Sequence, residues 1–158
     1  MQVRQIPMAQ LRELIDEQLA HGEALLPVTG NSMWPLLVGG RDMVRLARPD
    51  RCAQSGDIAL YQKADGSYIL HRVIRLCTPE TCICCGDAQW EGEQVDEAQI
   101  IAYVTAFRRK GHWQETDRSR PYRFYERFWV HTFPARRPLL RLLRFLQRAR
   151  RGLIRGRR

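Results

Sequence analysis

The chain has 158 residues, 44% of them hydrophobic and 27% charged, a balance that suits one folded domain with a substantial core and leaves little room for two. Its net charge of +9 is unevenly spread: ten of the 26 basic residues, all arginine, fall between Pro134 and Arg158 with no acid among them, so residues 1–133 hold 16 basic against 17 acidic groups. No apolar run approaches the roughly 18–20 residues that span a bilayer, and Pro7, Gln10, Arg12 and Glu13 interrupt any secretory-type apolar stretch near Met1 to Gln10. A cytoplasmic protein is expected, free or peripheral at a membrane.

In chain order, Met8, Leu11, Leu14, Ile15 and Leu19 recur at helical spacing, and Gly22 supplies a stop, which predicts an amphipathic helix packed on a sheet. Strands are predicted at Ala24 to Val28, Asp42 to Ala47, Ile58 to Gln62, Tyr68 to Leu76, Thr81 to Cys85 and Ile100 to Arg108. Asp65-Gly66 between the third and fourth is a hairpin turn signal. Many short strands separated by turn residues argue for a mainly β fold, a coiled and partly closed antiparallel sheet, rather than a parallel α/β fold.

From Arg118 the character changes. Pro121 to Trp129 is aromatic and basic and reads as a helix whose aromatic residues pack in a core or an interface. Beyond Pro138, leucines and Phe145 intermix with Arg141, Arg144, Arg148, Arg150 and Arg151, which predicts a basic amphipathic helix with a broad apolar face. Such a helix suits an anionic membrane surface or a partner protein. Specific nucleic-acid recognition would also want a reading element, and none is found. Residues 1–117 then form the main domain and 118–158 a helical C-terminal extension.

Cys77, Cys82, Cys84 and Cys85 cluster, with Cys52 apart. An odd number of cysteines without an export signal favours reduced thiols. Cys-x-Cys-Cys lacks the paired knuckles of common zinc sites, while Cys77 and Cys82 flank a loop across which a disulfide can be drawn. Buried or partly exposed thiols are the plainer assignment, and no metal or cofactor is implied.

The chemistry concentrates in Gly30-Asn31-Ser32-Met33-Trp34-Pro35-Leu36 and, further on, Ile69-Leu70-His71-Arg72-Val73-Ile74. A serine hydroxyl needs a partner to take its proton as it attacks a carbonyl, and an imidazole can do so. Gly30 permits a tight turn, and Pro35, with φ fixed, favours a short helical or 3₁₀ turn after it. The N–H groups of Ser32 and Met33 can then face an oxyanion. His71 sits in an apolar strand whose backbone would fix the imidazole.

At these residues the chain resembles the signal-peptidase and LexA-type serine peptidase superfamily. That superfamily carries a nucleophile box, a Gly-Asp-Ile strand, a strand bearing the base, and a Gly-Asp pair; here they are Gly30 to Leu36, Gly56-Asp57-Ile58, Ile69 to Ile74 and Gly86-Asp87, and the likeness covers roughly Leu25 to Phe107. The base position holds His71-Arg72-Val73, as in archaeal and endoplasmic-reticulum signal peptidases, and neither of the two lysines, Lys63 and Lys110, occupies it. The resemblance implies Ser32 as nucleophile, His71 as base and Asp87 as the carboxylate that orients it, with Glu93, in the loop that follows, as the other claimant. Gly30, Asn31, Met33 and Pro35 would contribute to oxyanion and substrate binding. Many signal peptidases have a hydroxyl where this chain has Gly30, so the oxyanion hole must lean on backbone donors. The implied function is cleavage of a particular peptide or precursor protein; the alternative is a noncatalytic peptide- or protein-binding module on the same fold.

Overall fold

Among the described residues, six strands take up the apolar runs and, with two short polar strands, join in one open antiparallel sheet, with an α-helix at its N-terminal side and two at its C-terminal side. The computed structural model describes the backbone of residues 8–155 and the side chains of residues 12–149. The expected contribution of Met8 and Leu11 to the first helix's apolar face, and that of Arg150 and Arg151 to the last helix, lie outside the described side chains.

Helix α1 (Met8–Ala20) ends at Gly22, whose φ of 117° only glycine adopts easily. It leads into β1 (Glu23–Pro27), followed by β2 (Met43–Ala47), β3 (Ile58–Gln62), β4 (Tyr68–Thr78), β5 (Thr81–Cys85), β6 (Glu93–Asp96), β7 (Ile100–Arg109) and β8 (His112–Glu115). The sheet order is β1-β2-β7-β3-β4-β5-β6, with β8 also pairing β7. Long β7 therefore serves two neighbours along one edge, β3 through Ile100 to Tyr103 and β8 through Ala106 to Arg109.

Strand β3 is buried on both faces, and its period of two sorts the core. Ile58 and Leu60 join α1, β1, β2 and the Ser32 loop in one cluster with Met33, Leu36, Leu37 and Phe107. Ala59 and Tyr61 face the other way, into a second cluster with Val73, Cys82, Cys84 and Val95. The β3–β4 hairpin closes over Asp65-Gly66 as predicted: Lys63 N–H donates to the Ser67 carbonyl (2.9 Å), Gly66 has φ 84°, and Asp65 accepts from the Ser67 N–H (2.9 Å).

The C-terminal residues do not stand off from this sheet. Helix α2 (Arg120–His131), capped by the Ser119 hydroxyl, buries Tyr122 against Phe107 with ring centroids 5.2 Å apart, and buries Trp129. Helix α3 (Arg136–Arg155) buries Arg136 and Leu140. No helix among the described residues is long and apolar enough to cross a membrane.

Candidate functional site

The Ser32 loop connects β1 to β2 and is pinned from below. Met33, Leu36 and Leu37 are almost fully buried, while Trp34 N–H donates to the Asn31 carbonyl (3.1 Å) and Leu37 N–H to the Met33 carbonyl (2.9 Å). Burying the apolar members of the box holds half-buried Ser32 at the surface of a hydrogen-bonded turn that includes Pro35. Asn31 Oδ1 accepts from the Gly39 N–H (3.2 Å), closing the loop on itself. The N–H groups of Ser32 and Met33 donate to no protein acceptor among the described residues, so two backbone donors stand free beside the hydroxyl. Gly30 departs from expectation: its φ is not positive and the space a Cβ would occupy is open, so the turn does not depend on a glycine there.

His71 lies in β4, opposite Ala59 of β3. The pairing of Arg72 with Cys85 puts the next position along, Gly86, at the end of β5 beside His71. Here a glycine is required for space: a Cβ on Gly86 would stand 2.6 Å from the Ser32 carbonyl oxygen and 3.1 Å from His71 Nε2. The loop after Gly86 is in turn fastened to the Ser32 loop, because Ala88 N–H donates to the Ser32 carbonyl (2.7 Å). Ser32 and His71 line the same cleft, of about 1450 Å³. Their side chains make no hydrogen bond to each other.

The other imidazole nitrogen meets a short hydrogen-bonded chain. Tyr61 Oη lies 3.2 Å from His71 Nδ1 and donates to Glu93 Oε1 at 2.5 Å; Glu93 Oε2 pairs with Lys63 Nζ, and Glu93 Oε1 is 3.8 Å from His71 Nδ1. Burial works to raise the Glu93 pKa, but the hydrogen bonds from Lys63 and Tyr61 outweigh it and keep the carboxyl below its ordinary value, hence ionised. A carboxylate only accepts, so Tyr61 spends its one proton on Glu93, and its oxygen must accept from His71 Nδ1–H. That fixes the tautomer: Nε2, the nitrogen beside Gly86 and the Ser32 backbone, carries the free lone pair. Burial lowers the His71 pKa, against the opposing pull of Glu93 and Asp87, so the imidazole is neutral at neutral pH.

Asp87 is the clearest difference from the sequence reading. Its carboxylate is completely buried and taken by Arg72, with Nε to Oδ1 at 2.9 Å and Nη2 to Oδ2 at 2.8 Å, and by the Tyr125 hydroxyl at 3.1 Å. It makes no hydrogen bond to His71. Arg72, next to His71 in the strand, points to the opposite face by strand alternation, and Asp87 follows it there. The carboxylate on the imidazole side is Glu93, which opens β6 rather than lying in a loop. Arg72 Nη1 also donates to the Gly56 carbonyl (2.9 Å) and reaches the Tyr122 hydroxyl (3.1 Å), so the Gly56-Asp57 turn, the Gly86-Asp87 pair and α2 share one buried guanidinium.

No protein-family model matches this chain, and no curated protein matches it.

Tyr61, Lys63, Arg72 and Gly86 thus hold positions that the motif reading did not assign. The hairpin signal did not by itself place Tyr61. The observed loop is three residues, Ala64-Asp65-Gly66, which pairs Gln62 with Tyr68 and Ala59 with His71 and so puts Tyr61 on the His71 face; a two-residue turn on Asp65-Gly66 would have put it on the other. Cys82 and Cys84 are buried with their sulfurs 3.7 Å apart; the Cys82 thiol and burial push the Cys84 thiol far up, and burial pushes Cys85 up to about 11. Cys77 is exposed at a register shift while Cys82 is buried, so the two do not face each other across the loop. Among the described residues no three His, Cys, Asp or Glu side chains gather to hold a metal ion.

Proposed function

We propose that this protein is a serine endopeptidase of the signal-peptidase-like kind, cleaving a specific peptide or precursor protein through Ser32 and His71. The observation that carries this is the convergence on one cleft of a serine with two free backbone N–H groups and a neutral histidine whose unprotonated Nε2 lies on the serine's side. Ser32 Oγ attacks the carbonyl carbon of the scissile amide as its proton passes to His71 Nε2. The N–H groups of Ser32 and Met33 receive the oxyanion. The C–N bond then breaks and the leaving amine takes the proton from His71. Water, deprotonated by the same nitrogen, attacks the acyl-serine and releases the acid, returning the proton to Ser32. Through this cycle Tyr61 and Glu93 hold the Nδ1 proton and steady the imidazolium, the role for which the resemblance offers Asp87 first and Glu93 second.

Strand β1 ends the sheet and runs straight into the nucleophile loop, and Leu25, Leu26, Pro27 and Val28 line the cleft. An extended substrate pairing along this edge delivers its carbonyl to Ser32. The Leu25 N–H, held by Gln18 Oε1 at 3.0 Å, is the donor such a strand competes for. A cytoplasmic setting belongs to the same proposal and is supported by the unpaired thiols. The test is to incubate the purified protein with a library of extended peptides and identify new termini by mass spectrometry. Cleavage by the wild type that disappears in Ser32→Ala is expected; equal peptide binding by both without new termini would favour the binding module.

A further inference from the structure

Helix α3 divides its apolar residues between two sides. Leu140 is 1% exposed and packs on the body with Arg136, whereas Leu142, Phe145 and Leu146 are 54%, 67% and 49% exposed. At 100° per residue these three form one stripe, at i, i+3 and i+4, on the side of the helix away from Leu140. Exposed Arg141 and Arg148 run along one flank of that stripe, while Arg144 lies nearer the Leu140 side. From Pro134 to the end of the chain there are ten arginines and no acid. A second copy of this helix would repel it, and a cation-rich stripe with protruding leucines and a phenylalanine matches a surface that is apolar within and anionic above.

We infer that α3 is a membrane-surface helix: it lies in the headgroup layer of an anionic bilayer, with Leu142, Phe145 and Leu146 among the acyl chains and the flanking arginines on lipid phosphates. At 20 residues it is long enough for such a contact, and its arginines keep it from crossing. Arg144 ties this surface to the cleft. It lines the cleft and its Nη2 reaches the Ala88 carbonyl at 3.4 Å, and Ala88 is the residue whose N–H holds the Ser32 backbone. A bilayer meeting α3 therefore lies within about one helix diameter, roughly 10 Å, of the cleft.

The test is flotation of the full chain with vesicles of phosphatidylcholine alone or of equal parts phosphatidylcholine and phosphatidylglycerol, using wild type, Phe145→Asp and Phe145→Leu. The wild type should float with the anionic vesicles only. Phe145→Asp should lower the bound fraction about tenfold or more, and Phe145→Leu should retain it. Phe145 is exposed, so both variants should keep the wild-type circular dichroism and the wild-type rate of Ser32 labelling by a fluorophosphonate. Absence of flotation with anionic vesicles overturns the inference, as does flotation that Phe145→Asp leaves unchanged, which would mean adsorption by charge alone or through another face. Neither outcome depends on Ser32, and loss of labelling with flotation intact would count against the peptidase and not against the helix.

Discussion

At the scale of single residues, the proposed chemistry depends on which carboxylate serves His71. Glu93 reaches Nδ1 through Tyr61, whereas Asp87 is committed to Arg72. Glu93→Gln should therefore cut the rate of cleavage or of Ser32 acylation by about 10² or more, as loss of the orienting carboxylate does in serine triads, with little change in the midpoint of unfolding. Asp87→Asn should act mainly on stability. A variant pair behaving the other way round would return the orienting role to Asp87. The pH dependence follows from burial. The His71 pKa is lowered, so the free base is the resting form at neutrality, and activity should hold level through pH 7 and fall only below the ordinary histidine value of about 6.5. Because Glu93 pulls that pKa up, Glu93→Gln should move the acid limb to still lower pH. The same depressed pKa means that the unfolded chain binds the proton first, so His71 erodes stability as pH falls from about 6.5 through its lower folded value. An acid limb above 6.5, read from a rate–pH profile, contradicts the burial argument.

At the scale of elements, strands with strong apolar patterning were legible and polar ones were not. Ile58–Gln62 and Thr81–Cys85 match the predicted bounds, and β1, β2, β4 and β7 differ by one or two residues at their ends. Glu93–Asp96 and His112–Glu115 gave no signal, because both are short and largely exposed and take their conformation from the neighbour they pair with. The β7–β8 turn rests on Lys110 and Gly111, both at positive φ, and lysine is not a residue that announces such a turn. For the site, motif order picked out Ser32 and His71, which line one cleft, but it did not show that the Asp87 carboxylate bonds Arg72, because a motif gives sequence distance and not strand face. Alternation along β4 turns Arg72 away from His71 and carries Asp87 with it. The close approach at the end of β5 gives a sharp prediction. Gly86→Ala puts a methyl against the Ser32 backbone, which cannot yield cheaply, and should lower Ser32 acylation at least about tenfold and destabilise by about 1–3 kcal/mol in urea unfolding. A variant with wild-type rate and stability would mean that the two strands are not packed as described.

At the scale of the whole molecule, the C-terminal helices belong to the same body as the site. Arg72 and Asp87 are both fully buried, and around them meet the Gly56 turn, the loop that holds Ser32, and α2 through Tyr122 and Tyr125. Arg136, at the start of α3, adds a bond from Nη1 to the Gly86 carbonyl at 3.2 Å. Composition marked residues 118–158 as a change of character, which they are in charge, and left open whether their aromatic residues pack in the core or in an interface; Tyr122 and Trp129 are buried against the body. Arg72→Ala leaves a buried carboxylate without its partner and should cost about 3–5 kcal/mol of unfolding free energy; a loss below about 1 kcal/mol would show that the junction does not hold the fold together. Whether Ser32 is a nucleophile activated by His71 is decided by treating the folded protein with a fluorophosphonate and locating the adduct by mass spectrometry. A single adduct on Ser32, slowed in Tyr61→Phe and absent in His71→Ala, is the expected result. No adduct on Ser32 in folded protein, or labelling that His71→Ala leaves unchanged, would contradict the proposed activation.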